Sequence, residues 1–444
     1  MTAFHKPMFA SKSLGSGCTL HEVVDSIVDP PVYSCIVVSD LARSGPWPAL
    51  GGTRWTRARL PTIDDIRAHC VHEAHALTRA MEAKNRLLRL AERTLAAEDL
   101  RWKSRTSLFG WVGGKGVIWS PDERLSPARL LVHGRLIESL GGAYFASKDQ
   151  GVGANQLDWI GRATGYVVGL RCKRDTGEAT AWGVASAIHE AARQLDMIRS
   201  SHAGTLSEDA PLSGGSINDT GCLAGLRILV IGVGKVGLPL AQILEESGAD
   251  MRIYDPELVD NVEAFYRATR ARGAAIDETH LDLLRRFAVE KRIFRSEVEA
   301  LSWGDCDVLS PNGGDTGWLS SSATGCTDPR FETLSRIKQG GGHLRLVVGA
   351  GNEQLGSSAS RVIESFTTFG IVFIPDAIAS PGGVVAVSHE LEPEWNADDV
   401  NRDTIEIVAA NVRRVFRMAG SHATPTSSAA IATAYVQLLE ADDC

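Results

Sequence analysis

Arg227-Ile228-Leu229-Val230-Ile231-Gly232-Val233-Gly234-Lys235-Val236-Gly237 is the stretch that decides the fold. Ile228 to Ile231 form an unbroken apolar run, the pattern of a parallel strand buried on both faces. The run leads into Gly-x-Gly-x-x-Gly, Leu238 to Ser247 continues as a helix, and Met251-Arg252-Ile253-Tyr254 reads as the next strand, closed by Asp255. Strand, glycine turn, helix, strand and an acid about twenty residues on make up a dinucleotide-binding unit. Gly232 makes the tight turn, Gly234 lets the backbone approach a pyrophosphate, and Gly237 lets helix and strand pack closely. The phosphates rest on the free amides of the helix start, at Lys235 and Val236. Asp255 is set to accept the adenosine ribose hydroxyls, and its charge repels a 2′-phosphate. NAD is therefore the expected cofactor, and Arg252, inside the strand, weakens that expectation only slightly.

Further strands are predicted at 306–310, 344–349 and 371–374, which completes a doubly wound Rossmann sheet. Upstream, residues 31–39 are rich in β-branched residues and read as a strand, followed by a Gly/Pro-punctuated loop over 44–54. Thr62 and Asp65 have capping-box spacing before a stretch that reaches Leu100 without Pro or Gly. Its Arg- and Ala-rich part, 80–97, is polar on most faces and is expected to protrude. A helix at 126–140, a strand at 143–147 and a helix at 181–197 come next, and the Ser/Gly-rich 199–221 reads as a mobile loop. The fold class is α/β: an N-terminal α/β substrate and oligomerisation domain (1–180), a dinucleotide-binding domain (181–395), and a C-terminal helical segment (396–444) expected to return to the first domain.

Composition excludes several classes of function. The 444 residues are 44% hydrophobic and 23% charged, and 46 Lys+Arg against 54 Asp+Glu give a formal charge of -8. That balance argues against nucleic acid as a partner. No apolar run approaches the ~20 residues of a membrane span, and Met-Thr-Ala-Phe-His-Lys does not open a secretory leader. Eight scattered cysteines without a Cys-x-x-Cys pair suggest a reducing compartment, with neither a disulfide frame nor a metal site. A cytoplasmic enzyme without a metal is the expectation.

The reaction is carried by the N-terminal half. Arg101-Trp102-Lys103-Ser104 and Val112-Gly113-Gly114-Lys115-Gly116 place two lysines twelve positions apart, the second among glycines that would let a substrate approach. A buried amine beside another cation drops toward neutrality, as a general base requires. Five further motifs lie in order along the chain. They are Pro48-Ala49-Leu50-Gly51-Gly52-Thr53-Arg54, Lys148-Asp149-Gln150-Gly151-Val152-Gly153, and Ala179-Thr180-Ala181-Trp182-Gly183-Val184. Gly349-Ala350-Gly351-Asn352 comes fourth, and Pro375-Asp376 with Gly382-Gly383-Val384 comes last. Together with the lysine pair, they make the chain resemble the glutamate/leucine/phenylalanine/valine dehydrogenase family over roughly residues 31–390. The first resembles that family's first substrate loop, and the second the segment of its catalytic acid. The third is similar to its Ala-Thr-Ala-Tyr-Gly-Val signature, the fourth to the turn beside the cofactor, and the last to the loop that closes the substrate site.

The resemblance implies roles. Lys103 holds the substrate carboxylate, neutral Lys115 activates water toward an imine, and Asp149 carries protons to and from the nitrogen. Thr180 contacts the nicotinamide amide, and Pro311, Ala350 and Asn352 line the cofactor. An amino acid or 2-oxo acid with ammonia, and a homo-oligomer, follow from the same likeness. Lys84 shares a Met-x-x-Lys context with the family, but Lys103 has the family's spacing to Lys115. Ser380-Pro381 stands where the family has Asn-Ala, and Val112 replaces a glycine. Leu50 occupies the position that is lysine in the glutamate-specific branch. With Ser147, Val384 and Val387 it implies a hydrophobic or aromatic substrate. Two other readings stay open: a diverged enzyme reducing an imine or using a specialised-metabolite amino acid, and a non-catalytic NAD-binding regulator.

Overall fold

A computed structural model of the chain describes residues 8–25, 32–44, 47–98, 102, 109–198, 221–258, 261–313, 318–319, 334, 338, 341–352, 354–356, 359–391, 394–420 and 426–440. Lys103 and nearly all of the loop expected at 199–221 lie outside the described residues. The chain divides into two units. The first takes Met1–Arg89, Ser107–Cys172 and Val387–Pro393, and the second takes Leu90–Thr106, Lys173–Ala386 and Glu394–Cys444. Among the described residues, no helix is long and apolar enough to cross a membrane.

The first unit is built on a six-stranded sheet in the order β1-β2-β3-β5-β4-β6. Its strands are β1 (Met8–Ser13), β2 (Cys18–Asp25), β3 (Val32–Ser39), β4 (Ala49–Thr56), β5 (Val112–Trp119) and β6 (Tyr144–Ser147). β1, β2, β3 and β5 pair antiparallel, while β4 runs parallel to both β5 and β6. Side chains alternate across the sheet. Ile36, Val38, Ala49, Ile118, Tyr144 and Ala146 face a core shared with Leu130, Leu136 and Ile137 of helix Pro127–Glu138. On the other face Tyr33, Cys35, Val37, Val117 and Trp119 pack on Ile66, Cys70 and Ala74 of the long helix Ile63–Glu98. β1 and β2 escaped the sequence reading because their Ser, Thr, Lys and His residues give β1 no apolar alternation and leave it largely exposed.

The long helix starts at the expected box, with the Asp65 amide donating to the Thr62 hydroxyl at 3.1 Å. Its 80–97 part does not protrude. Lys84, Asn85, Leu87, Leu88, Arg89, Leu90, Ala91, Glu92 and Leu95 are all buried. Its polar side chains bond to backbone at and just before the start of β5. Glu82 accepts the Gly113 amide, Asn85 donates to the Val112 carbonyl at 3.0 Å, and Arg89 donates to the Trp111 carbonyl. Arg89 also stacks 5.0 Å from the centre of the Trp47 ring. Polarity on several faces of a helix signals exposure only when no unpaired backbone lies alongside to take it up.

The second unit holds a five-stranded parallel sheet in the order β11-β10-β9-β7-β8. Its strands are β7 (Arg227–Ile231), β8 (Asp250–Tyr254), β9 (Val308–Pro311), β10 (Leu346–Val347) and β11 (Val372–Phe373). The chain winds from β7 to β8 on one side and then to β9 on the other, which makes β7/β9 the switch point where doubly wound sheets bind ligands. The C-terminal helices are a correction to the sequence expectation, for they group with this unit and not with the first. Helix Ala397–Gly420 lies along helix Thr176–Gln194, burying Val400, Ile407, Val408, Val412 and Val415 against its alanine-rich side. The Arg413–Glu190 ion pair at 3.0 Å and the Ser186 hydroxyl on the Ile405 carbonyl at 2.9 Å fix the register.

A candidate active site in two parts

In the first unit the register sets Gly52 opposite Ser147 and Thr53 opposite Gly116, so Lys115 stands beside Gly52 on the face toward the long helix. After β6 the chain turns tightly through Gly151 (φ +77), and the amides and carbonyls of Asp149 and Val152 pair with each other. This turn carries Asp149 over Gly52, where a Cβ would lie 2.6 Å from that of Asp149. The glycines around Lys115 are not open space for a substrate, as the sequence suggested. A Cβ on Gly51 would fall 1.6 Å from the Gly114 carbonyl oxygen, one on Gly113 2.4 Å from that of Thr78, and one on Gly116 2.9 Å from His133 Nε2. They let strands and helix close on one another.

The Lys115 ammonium donates to Asp149 Oδ2. A second cation reaches the same oxygen, since Arg54 Nε lies 3.4 Å away and the far end of its guanidinium holds Glu73 of the long helix at 3.2 Å. Burial pushes the Lys115 amine below the ordinary lysine value; Asp149 opposes that shift and Arg54 adds to it. Burial would raise the Asp149 carboxyl, but Lys115 and Arg54 outweigh it and hold the group at about 2. A desolvated amine on an ionised acid is a proton-handling pair. Arg54 and Glu73 were missed as site residues, although strand alternation puts Arg54 on the same face as Gly52.

The same unit also carries a group of apolar side chains. Leu50 is 2% exposed and lies between Gly113 and Phe145. Phe145 stacks edge-on with Trp111 and Tyr166, at 5.5 and 5.4 Å between ring centres. A Cβ on Gly169 would meet both Ser147 Oγ and Val387 Cγ2, which brings those two expected residues together. The Trp111 indole donates to the Ser388 hydroxyl at 3.0 Å and the Gly169 amide to Glu390 at 2.6 Å, so the 387–390 segment is fastened here. Lys84 is the lysine whose place the structure describes: it is 7% exposed, and the helical turn around it is bonded through Glu82 and Asn85 to Val112 and Gly113, just before Lys115.

In the second unit the expected cofactor residues gather at the C-terminal ends of the strands. Gly232 has φ +81, and a Cβ on Gly237 would strike the Gly232 carbonyl oxygen at 1.8 Å, whereas one on Gly234 would meet nothing within 4 Å. Val236 precedes the first turn of helix Gly237–Glu246 and its carbonyl accepts from the Leu240 amide. Lys235 turns to the start of helix Thr176–Gln194, 3.0 Å from the Thr176 hydroxyl and 3.4 Å from Asp175. Asp255 accepts the Val233 and Glu257 amides, both at 2.9 Å, and burial raises its carboxyl above the ordinary value. Arg252 is stacked on Trp303 and Phe294, at 4.8 and 5.6 Å from the ring centres.

Pro311 ends β9, and its carbonyl accepts the Gly351 amide. Asn312, which the sequence reading passed over, accepts the Ala350 amide at 3.0 Å and donates to Ser310, so it ties β9 to the Gly349–Asn352 turn. Asn352 is half-buried in that turn. Thr180 donates its hydroxyl to the Thr176 carbonyl at 2.7 Å, and Gly383 lies against it, a Cβ there sitting 3.5 Å from Thr180 Oγ1. Ser380 donates its hydroxyl to the Asp376 carbonyl at 2.7 Å, and Val384 is buried in the helix after it.

No family model matches the chain. It is 26% identical over 389 residues to the leucine dehydrogenase of Bacillus subtilis (strain 168), covering 86% of this chain and 82% of that protein. It is likewise 24% identical over 316 residues to the phenylalanine dehydrogenase of Lysinibacillus sphaericus, covering 70% and 66% of the two chains. Among solved structures, L-tryptophan dehydrogenase from Nostoc punctiforme has the same fold with a TM-score of 0.57 at 20% identity, over 92% of this chain and 93% of that one. A parallel sheet of the dinucleotide-binding type, together with a second sheet that carries a lysine–aspartate pair, is thus found in a chain whose relatives and structural neighbours are amino acid dehydrogenases. More particularly, the chain is a homologue of the leucine, valine and phenylalanine dehydrogenases.

Proposed function

We propose that the protein catalyses NAD-linked oxidative deamination of a hydrophobic or aromatic L-amino acid to its 2-oxo acid and ammonia, and the reverse amination. The observation that carries this reading is the Lys115–Asp149 contact. In it Lys115, drawn toward neutrality, takes a proton from water, and Asp149 passes protons at the substrate nitrogen. The nicotinamide cofactor supplies the acceptor for the hydrogen on Cα. The glycine turn fits such a group, since Gly234 leaves room for a pyrophosphate that a side chain would fill. NAD is favoured over NADP because Asp255 would face a 2′-phosphate and Arg252 is held by two aromatic rings.

Lys84, bonded through its helical turn to the start of β5, is the lysine we assign to the substrate carboxylate in preference to Lys103. Leu50, Phe145 and Val387 favour an apolar side chain, because an unpaired carboxylate among them would cost several kcal/mol. A second reading, an imine or a specialised-metabolite substrate, is favoured by one observation: Ser380 brings no amide and its hydroxyl is already donated.

A spectrophotometric screen of NAD and NADP reduction across the L-amino acids tests both. The expected result is a kcat/KM for leucine, phenylalanine or tryptophan above that for glutamate, with NAD preferred. Lys115→Ala is expected to lose ~10²–10⁴ in rate with NADH affinity kept, and Lys84→Ala to raise KM for the amino acid. Glutamate as best substrate, or a Lys115→Ala variant of normal rate, overturns the reading.

A further inference from the structure

Between the long helix and the Lys115–Asp149 pair stands a chain of charges that the reaction as proposed does not use. Glu73 holds Arg54 at 3.2 Å, and Arg54 presents Nε at 3.4 Å to the same Asp149 oxygen that Lys115 takes. Both ends of the guanidinium are engaged and its side chain is only 12% exposed, so it is fixed. We propose that Arg54, braced by Glu73, is a positioning residue that pins the Asp149 carboxylate over Gly52 and sets the charge balance of the Lys115–Asp149 pair.

The assignment rests on the dehydrogenase reading and deepens it. Without Arg54, burial alone would weigh against the Lys115 ammonium, while Asp149 and Glu73 would hold it charged. A second, permanent cation changes this. It stabilises the carboxylate whatever the state of the amine, and it disfavours a further positive charge on Lys115. Arginine suits the task because it stays charged and its rigid planar fork holds two acids in fixed, separate directions, whereas the donors of a lysine share one nitrogen. The charged groups facing Lys115 are Arg54 from β4, Asp149 from the turn after β6, and Glu73 from the long helix. Behind them His69 lies 3.8 Å from Glu73, and the buried thiols of Cys70 and, from β3, Cys35 also feel the Glu73 charge. β3 presents Val37 opposite Lys115, and β6 presents Ser147 opposite Gly52; neither titrates.

The test is the pH profile of kcat/KM for the best amino acid in wild type, Arg54→Met and Arg54→Lys, with NADH binding and circular dichroism as folding controls. Deamination needs the neutral amine, so the acid limb reports Lys115. In Arg54→Met the limb is expected to move up by roughly one pH unit. Arg54→Lys keeps the charge but not the fork, and is expected to hold the limb in place while kcat falls about tenfold. A uniform loss of rate in Arg54→Met with an unmoved limb would assign Arg54 a purely structural role and overturn the proposal. Titration of Lys115 by NMR in lysine-labelled protein separates the two levels. If no variant, wild type included, turns over any amino acid while the Lys115 resonance still moves upward in Arg54→Met, the reaction is wrong and the coupling stands. If the resonance does not move, the coupling fails.

Discussion

His133 is fully buried behind the strand that carries Lys115, with its imidazole between the Ser34 hydroxyl and the Thr53 hydroxyl at 3.1 Å. Burial lowers its pKa from 6.5 to about 3. Over that window the unfolded imidazole takes up a proton that the folded site refuses, so the unfolded chain binds more protons and stability falls with falling pH. The slope is on the order of 1 kcal/mol per pH unit from this one residue. His133→Leu is expected to lower the melting temperature at pH 7.5, because two buried hydroxyls lose a partner at a cost of ~1–3 kcal/mol. It should also flatten the decline between pH 6.5 and 4.5. Melting curves at several pH values check this, and an unchanged slope in the variant would remove His133 as its source.

At the level of elements, two glycines of one turn are expected to fail differently. Gly234→Ala finds open space, so the protein without ligand should melt as wild type does while NADH affinity drops at least tenfold. Gly237→Ala drives a methyl into the Gly232 carbonyl and should cost about 1–3 kcal/mol of stability. Thermal melts and NADH titration of both variants distinguish the two, and equal melting temperatures would refute the packing role of Gly237. This turn was legible in the sequence because its strand, helix and acid are all local. β7 was likewise legible, as a buried parallel strand is apolar without interruption, and β8 was legible from its place after the helix. The partners of Lys115 were less so. Arg54 meets Asp149 across two strands, which residue spacing hides. The long helix misled for the opposite reason, since its charges serve the backbone at and just before β5 instead of water.

On the scale of the molecule, the C-terminal helices are part of the second unit's core. Helix Ala397–Gly420 buries Val400, Ile407, Val408, Val412, Val415 and Phe416. At ~1.5–3 kcal/mol for each large side chain, their loss exceeds a typical domain stability of ~5–15 kcal/mol at the upper end. A chain ending after Trp395 is therefore expected to lose dinucleotide binding and to aggregate. NADH titration of the truncated protein checks this, and wild-type affinity would show the helices to be dispensable. The first unit depends on the far end of the sequence in a different way. Most of it is complete by Cys172, yet Val387–Pro393 belongs to it, with Ser388 and Glu390 fastened to Trp111 and Gly169. Roughly two hundred residues are thus translated in between, which at ~5–20 residues per second is a wait of about 10–40 s on the ribosome. For that interval the newborn sheet leaves the tryptophan and the amide without their partners, and the last piece of the first unit to be made is one of its walls.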